Sequence, residues 1–316
     1  MSTSQESKPR LNLAPVVRGA GVSVVAPASF ARPERIEGGV ERLRALGFAP
    51  RFNEHTLARG PLFFAGTLAQ RLADLHAAFA DPETSMAMCL RGGYGSNYLL
   101  DELDTELIRK HPKPFFAYSD LTGVQLHLLN QLGLPAFHGP MLAADFYLED
   151  GVHLPSFQAA LAGEPYSVGP AEGLRALKAG TARGTLYGGC LSILVSLLGT
   201  PYEPQTEGKL LFLEDTGAKP YQIDRMLWQL RHAGKLAGVR GIVFGEMLDC
   251  ASPGAAPDLL EKVILNVFQD FEGPIAMGLR SGHVSRQNVT LVFGMEAECN
   301  VNEEAQLHLL EPAVTR

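Results

Sequence analysis

At Ser119 the sequence changes character: the apolar run PFFAY ends and a helical pattern, SDLTGVQLHLLNQLG, begins. A serine at such a junction is lifted clear of a sheet. The helix behind it offers unpaired backbone N–H groups and the positive end of its dipole, which can stabilise an oxyanion. The turn resembles a nucleophile elbow without the G-x-S-x-G pattern, and Ser-Asp before a helix would serve equally as an N-cap. A second turn, RGGYGS at 91–96, places Gly92 and Gly93 after another apolar run. Adjacent glycines let backbone N–H groups approach an anion closely, although an ordinary turn has the same composition. Neither G-x-x-x-x-G-K-[ST] nor G-x-G-x-x-G is satisfied, so this is no phosphate loop. Arg91 suits a substrate carboxylate, or a surface ion pair.

Glu214 and Asp215 follow the apolar run LLFL, and His283 lies in a turn between two apolar stretches of GLRSGHVSRQNVTLVFG. An acid at a strand end can orient a histidine, cap a helix or simply face water. A loop histidine is ordinarily polar surface, yet an accessible imidazole titrating near neutrality is what a general base requires. Together these residues supply nucleophile, acid and base in the order Ser, Glu, His. Triads are defined by geometry rather than chain order, so spacing leaves open whether the three meet.

The elements around them alternate. GVSVVAPAS, FAPRFN, SMAMCLRGGYG and PFFAYSD read as strands, and PERIEGGVERLRALG, TLAQRLADLHAAFADP and the short SNYLLDELD as helices. That rhythm predicts an α/β fold with a parallel sheet flanked by helices, whose ligands sit at the carboxyl ends of the strands. Both RGGYGS and AYSD fall at such ends. Beyond about residue 145 the pattern weakens into a Gly-, Pro- and Ala-rich stretch. The expected organisation is therefore an amino-terminal domain over 1–150, a linker region over 151–183 and a carboxyl-terminal domain over 184–316. In the last, GTLYGGCLSILVSLLG reads as a turn entering a helix, and GKLLFLED, VRGIVFGEM, PIAMGL and NVTLVFG as strands of a second, mixed α/β unit. KPYQIDRMLWQLRHAG reads as a helix with Ile223, Met226, Leu227 and Leu230 on one face. The single tryptophan, Trp228, lies on this helix, which is expected to belong to the core.

The chain has 316 residues, 46% hydrophobic and 19% charged, with a formal charge of −7. That is a globular composition long enough for two cores. Scattered basic residues argue against a nucleic-acid partner. No apolar stretch reads as a signal peptide or membrane span, which makes the cytoplasm the default location. Cys89, Cys190, Cys250 and Cys299 are far apart, without C-x-x-C or zinc-ligand spacing, and H-E-x-x-H is missing, so reduced thiols and no metal are expected.

Six blocks in order resemble the L,D-carboxypeptidases, serine peptidases that trim murein peptides, with the microcin C self-immunity peptidases as relatives. They are CLRGGYGSNYLL (89–100), FFAYSDLT (115–122), FHGPML (137–142), GGCLSILVSLLGTPYEP (188–204), LLFLEDTGAKPYQIDRMLWQLRHAG (210–234) and GHVSRQNVTLVFG (282–294). The resemblance implies a catalytic triad of Ser119, Glu214 and His283, with backbone oxyanion donors at Asp120 and Gly93. It also implies a class I glutamine amidotransferase-like amino-terminal sheet, a smaller β-rich carboxyl-terminal domain, a homodimer and no cofactor. Arg91, Gly92, Tyr94 and Arg280 are the candidates for substrate contacts, including a terminal carboxylate. Release of the terminal D-alanine of murein tetrapeptides is the expected activity. The alternatives are a microcin-type peptidase acting on aminoacyl-nucleotide conjugates and a non-catalytic module binding a small peptide or sugar. No aromatic-rich insertion suggests a nucleobase platform, which favours murein. Two departures bear on the pocket: Cys190 stands where asparagine is expected, and Leu279-Arg280 replaces a Phe-Pro-like pair.

Overall fold

The computed structural model describes residues 8–251, 254 and 256–315. The extreme amino terminus, read above for a signal peptide, lies partly outside them. The first five strands are β1 (Gly21–Val25), β2 (Ala49–Phe52), β3 (Met86–Cys89), β4 (Phe115–Ala117) and β5 (Ala136–His138). The helices α1 (Pro33–Ala45), α2 (Leu68–Ala80), α3 (Thr105–Lys110) and α4 (Thr122–Leu132) alternate with them. Thr67 and Gln70 close the start of α2 with reciprocal side-chain bonds, so its first turn leaves fewer orphan donors. The residues of β3 and β4 are all buried, as expected for strands covered on both faces.

Then follow α5 (Leu154–Ala162), β6 (Tyr166–Val168), β7 (Arg175–Lys178), β8 (Gly180–Cys190), α6 (Leu191–Ser196) and β9 (Lys209–Glu214). The chain continues through α7 (Pro220–His232), β10 (Gly241–Gly245), α8 (Leu259–Val267) and β11 (Ile275–Leu279). It ends with β12 (Leu291–Phe293), β13 (Glu296–Val301) and β14 (Ala305–Leu309). One sheet runs β12-β5-β4-β3-β1-β2, parallel except for β12; the other runs β6-β14-β13-β8-β9-β10-β11-β7, parallel from β8 to β11. Each sheet has its own apolar core. Within 151–183, α5 packs on the first core, whereas β6 and β7 form the two edges of the second sheet. Among the described residues no helix is long and apolar enough to cross a membrane.

Three sequence expectations are corrected. GTLYGG is no turn but the end of β8, a central strand of the second sheet. Glycine lowers strand propensity, which hid it; the glycines are there because the neighbouring strand comes too close for a side chain. A Cβ on Gly188, at φ +146°, would stand 1.8 Å from the Phe212 carbonyl oxygen. Gly188→Ala is therefore expected to cost at least about 3 kcal/mol, the upper end of ordinary overpacking, read as a lowered urea midpoint. Second, NVTLVFG belongs to the first sheet, where β12 pairs antiparallel with β5. Third, Trp228 is 55% exposed and rests on His232 at 4.1 Å, while Ile223, Leu227 and Leu230 form the buried face of α7.

Candidate active site

Ser119 stands one residue, Tyr118, beyond β4 and has φ +64°, a left-handed conformation that a non-glycine residue adopts at a cost of about 1–2 kcal/mol. Its short turn (119–121) leads into α4, and neither is closed by a side-chain cap, so the capping role is not what holds a serine there. The glycine turn lies against it. A Cβ on Gly92 would fall 2.8 Å from Ser119 Cβ and 2.9 Å from its Oγ, so only glycine fits. Gly93 has φ +114°, and the Tyr94 N–H next to it donates to Ser29 Oγ at 3.1 Å. The Asp120 carboxylate turns away to accept the Ser96 N–H at 2.8 Å, and its own carbonyl accepts Ser96 Oγ–H at 2.6 Å. Its backbone N–H stands in the first turn, where no intrahelical acceptor exists.

Glu214 ends β9 and is wholly buried. Its Oε2 accepts two bonds from His283, from the backbone N–H at 3.0 Å and from Nδ1 at 2.8 Å. The tautomer with Nδ1–H is thereby fixed, which leaves Nε2 as the basic nitrogen. Burial raises the Glu214 carboxyl, but the His283 charge and bonds outweigh it and hold the group below its ordinary value. Conversely, burial lowers His283, but Glu214 above all, with Asp215 and Asp145, carries it above 6.5. Tyr118 meets the imidazole edge-on at 5.2 Å. Asp215, the neighbouring acid, is occupied elsewhere: it accepts the N–H groups of Ser192 and Thr216, both at 2.8 Å.

Ser119 and His283 share a cavity of about 290 Å³ with Arg91, Gly92 and Gly93. Ser119 comes from the first sheet, Glu214 from the second, and His283 from the loop that joins β11 of the second to β12 of the first. Arg280 is not brought there. The residue is 9% exposed and its guanidinium donates to the Ala171 carbonyl at 2.6 Å, because β11 turns it away from His283. Leu279 is wholly buried core. Tyr94 lines a neighbouring cavity of about 440 Å³ instead, together with Asp120 and Tyr202.

Several residues escaped the sequence reading. Arg35 and Arg286 line the Ser119 cavity and add cations beside Arg91. Asp145 enters it from a π-type turn (142–146), accepting the Met141 N–H at 2.9 Å and Asn288 Nδ2–H at 3.0 Å. Burial pushes Asp145 up to about 6 against those bonds. Asn288 also accepts the Gly282 N–H at 3.0 Å, tying the His283 loop to that turn. Arg71 is buried under the glycine turn and donates to the Pro27 and Gly95 carbonyls, both at 2.7 Å. Phe63 and Phe64 reach Tyr94 at 5.3 and 6.1 Å, an aromatic cluster assembled from two separate loops. No local pattern marks these residues; a buried arginine on an amphipathic helix is the one signal, at Arg71.

Comparison with known proteins matches residues 22–139 to the LD-carboxypeptidase N-terminal domain and residues 183–299 to the LD-carboxypeptidase C-terminal domain. The chain is 37% identical to the probable murein peptide carboxypeptidase of Bacillus subtilis (strain 168), over 91% of each protein. It is 33% identical to the murein tetrapeptide carboxypeptidase of Pseudomonas aeruginosa, over 87% of this chain and 92% of that one. Its fold is similar to that of the MccFlike protein from Bacillus anthracis str. Ames, with a TM-score of 0.88 at 27% identity, covering 95% of this chain and 99% of the other.

Proposed function

Given that the chain belongs to the LD-carboxypeptidase family and is a carboxypeptidase, we propose that it hydrolyses the L,D amide bond holding the terminal D-alanine of a murein tetrapeptide. The observation that carries this reading is that His283, held from behind by the buried Glu214, faces the same cavity as the strained Ser119. Ser119 attacks the carbonyl while His283 Nε2 takes its proton, and Glu214 stabilises the imidazolium. The tetrahedral oxyanion is received by the N–H groups of Asp120 and Gly93, each donor being worth about 3 kcal/mol in comparable sites. His283 then protonates the leaving amine, and water resolves the acyl enzyme. The chemistry calls for no metal or organic cofactor. Arg91, with Arg35 and Arg286, supplies the positive charge for the terminal carboxylate. Peptidase family membership leaves the reading as a non-catalytic binder without support, and the murein names of the sequence relatives favour a murein peptide over a microcin-type conjugate. A cytoplasmic homodimer belongs to the same proposal; sedimentation tests the dimer.

The test is mass spectrometry of L-Ala-γ-D-Glu-diaminopimelate-D-Ala after incubation with the protein. Loss of one alanine supports the proposal; an intact peptide alongside cleavage of an aminoacyl-nucleotide conjugate overturns the substrate. The pH profile follows from the pair. A protonated His283 cannot act as base, and its pKa lies above 6.5, so kcat/KM is expected to rise with pH through an apparent pKa above that value. A midpoint at or below 6.5 would contradict the role of Glu214.

A further inference from the structure

The cysteines and histidines are dispersed in the sequence, yet the fold brings one thiol to the Glu214–His283 pair. Cys190 ends β8 directly opposite Glu214 in the β8–β9 register. One donor atom from each of Cys190, Glu214 and His283 lies within 4.8 Å of the others. Sulfur, carboxylate oxygen and imidazole nitrogen are the ligands a borderline-soft cation such as zinc prefers. Donor atoms around tetrahedral zinc stand roughly 3.5 Å apart, so the widest pair in the set needs to close by up to about 1.3 Å.

Two observations indicate that these donors have capacity to spare. Glu214 Oε1 is buried without a hydrogen-bond partner among the described residues, since both His283 bonds go to Oε2. A buried carboxylate oxygen left unpaired is costly, and a cation would satisfy it. The Cys190 sulfur makes weak thiol hydrogen bonds, with Ser192 Oγ at 3.3 Å, Asp215 Oδ2 at 3.9 Å and the Ile193 backbone. The resulting surroundings are acidic, with Glu214 and Asp215 both facing the thiol.

We propose that Cys190, Glu214 and His283 form an inhibitory site for a thiophilic divalent cation, zinc being the natural example. On binding, the thiol releases its proton to solvent and the His283 proton moves from Nδ1 to Nε2, so that thiolate, carboxylate and the freed Nδ1 replace three of the metal's water ligands, leaving the fourth position to water. His283 and Glu214 are then committed to the metal, and the proton of Ser119 has no acceptor. Residue 190 decides the behaviour, because the asparagine expected there offers only a hard amide oxygen. Binding stands on this geometry alone; inhibition rests on the proposed hydrolytic role of His283.

The experiment therefore reads the two separately. Cadmium titrated into reduced, chelator-treated Ser119→Ala protein is expected to produce the ultraviolet thiolate-to-cadmium charge-transfer band at one equivalent, absent when Cys190→Ser is added. With active protein and the tetrapeptide, zinc inhibits reversibly, and Cys190→Ser raises the half-inhibiting concentration by about 100-fold or more, an inner ligand outweighing the 10–100-fold typical of outer partners. Each variant is scored against its own metal-free rate, and Cys190→Asn substitutes if the serine variant does not fold. A band that survives Cys190→Ser, or equal inhibition of both forms, overturns the site. A cysteine-dependent band in a protein that cleaves no peptide keeps the site and removes the hydrolytic reading instead.

Discussion

Replacing Ser119 by alanine is expected to lower kcat/KM by about 10⁴- to 10⁶-fold, because the nucleophile and its base act as one unit. For the same reason His283→Ala, and the double variant, should lose about as much as either alone. Ser119→Gly separates chemistry from folding. It removes the same hydroxyl but relieves the left-handed strain at φ +64°, so it should be equally inactive yet about 1 kcal/mol more stable. Single-turnover kinetics and a urea melt check the pair. Substantial hydrolysis by either variant would remove Ser119 from the mechanism.

Glu214→Gln has the second largest expected effect, about 10⁴-fold in kcat, the loss seen when the orienting carboxylate of a serine-protease triad becomes an amide. The physical reason is local. Glu214 Oε2 accepts both the His283 backbone N–H and Nδ1, and an amide whose NH₂ faced the ring would select the opposite tautomer, putting the proton on the nitrogen that must accept one. A drop of less than tenfold would show that the carboxylate does not orient the base. Since Glu214 is wholly buried, the variant's melting is measured alongside.

What could be read from the chain was what is encoded locally. The change of periodicity at Ser119 marked a strand-to-helix turn, and the turn is there, in a conformation that serine adopts only under constraint. Paired glycines at 92 and 93 indicated close approach, and Ser119 is what approaches. Adjacency was less legible. β12 has the same composition whichever sheet it joins, so its pairing with β5 could not be deduced. β8 was hidden because contact with β9 demands glycines that local propensity counts against a strand. Arg280 and Arg286 lie equally near His283 in sequence, but only Arg286 faces the cavity, a matter of which way β11 and the loop after it turn. The same limit applies to Cys190, whose proximity to His283 exists only through the register of two strands.

The route of the chain around His283 has a mechanical consequence. The imidazole sits on a loop that leaves the second sheet at β11 and enters the first at β12, two strands away from the one that delivers Ser119. Such a loop works as a tie-rod with one anchorage in each body. Any tilt of one sheet against the other is transmitted to the base, and Asn288, clamped between Gly282 and Asp145, limits its travel. The alignment of the two halves and the span from nucleophile to base are thus a single adjustable length, set by the chain itself.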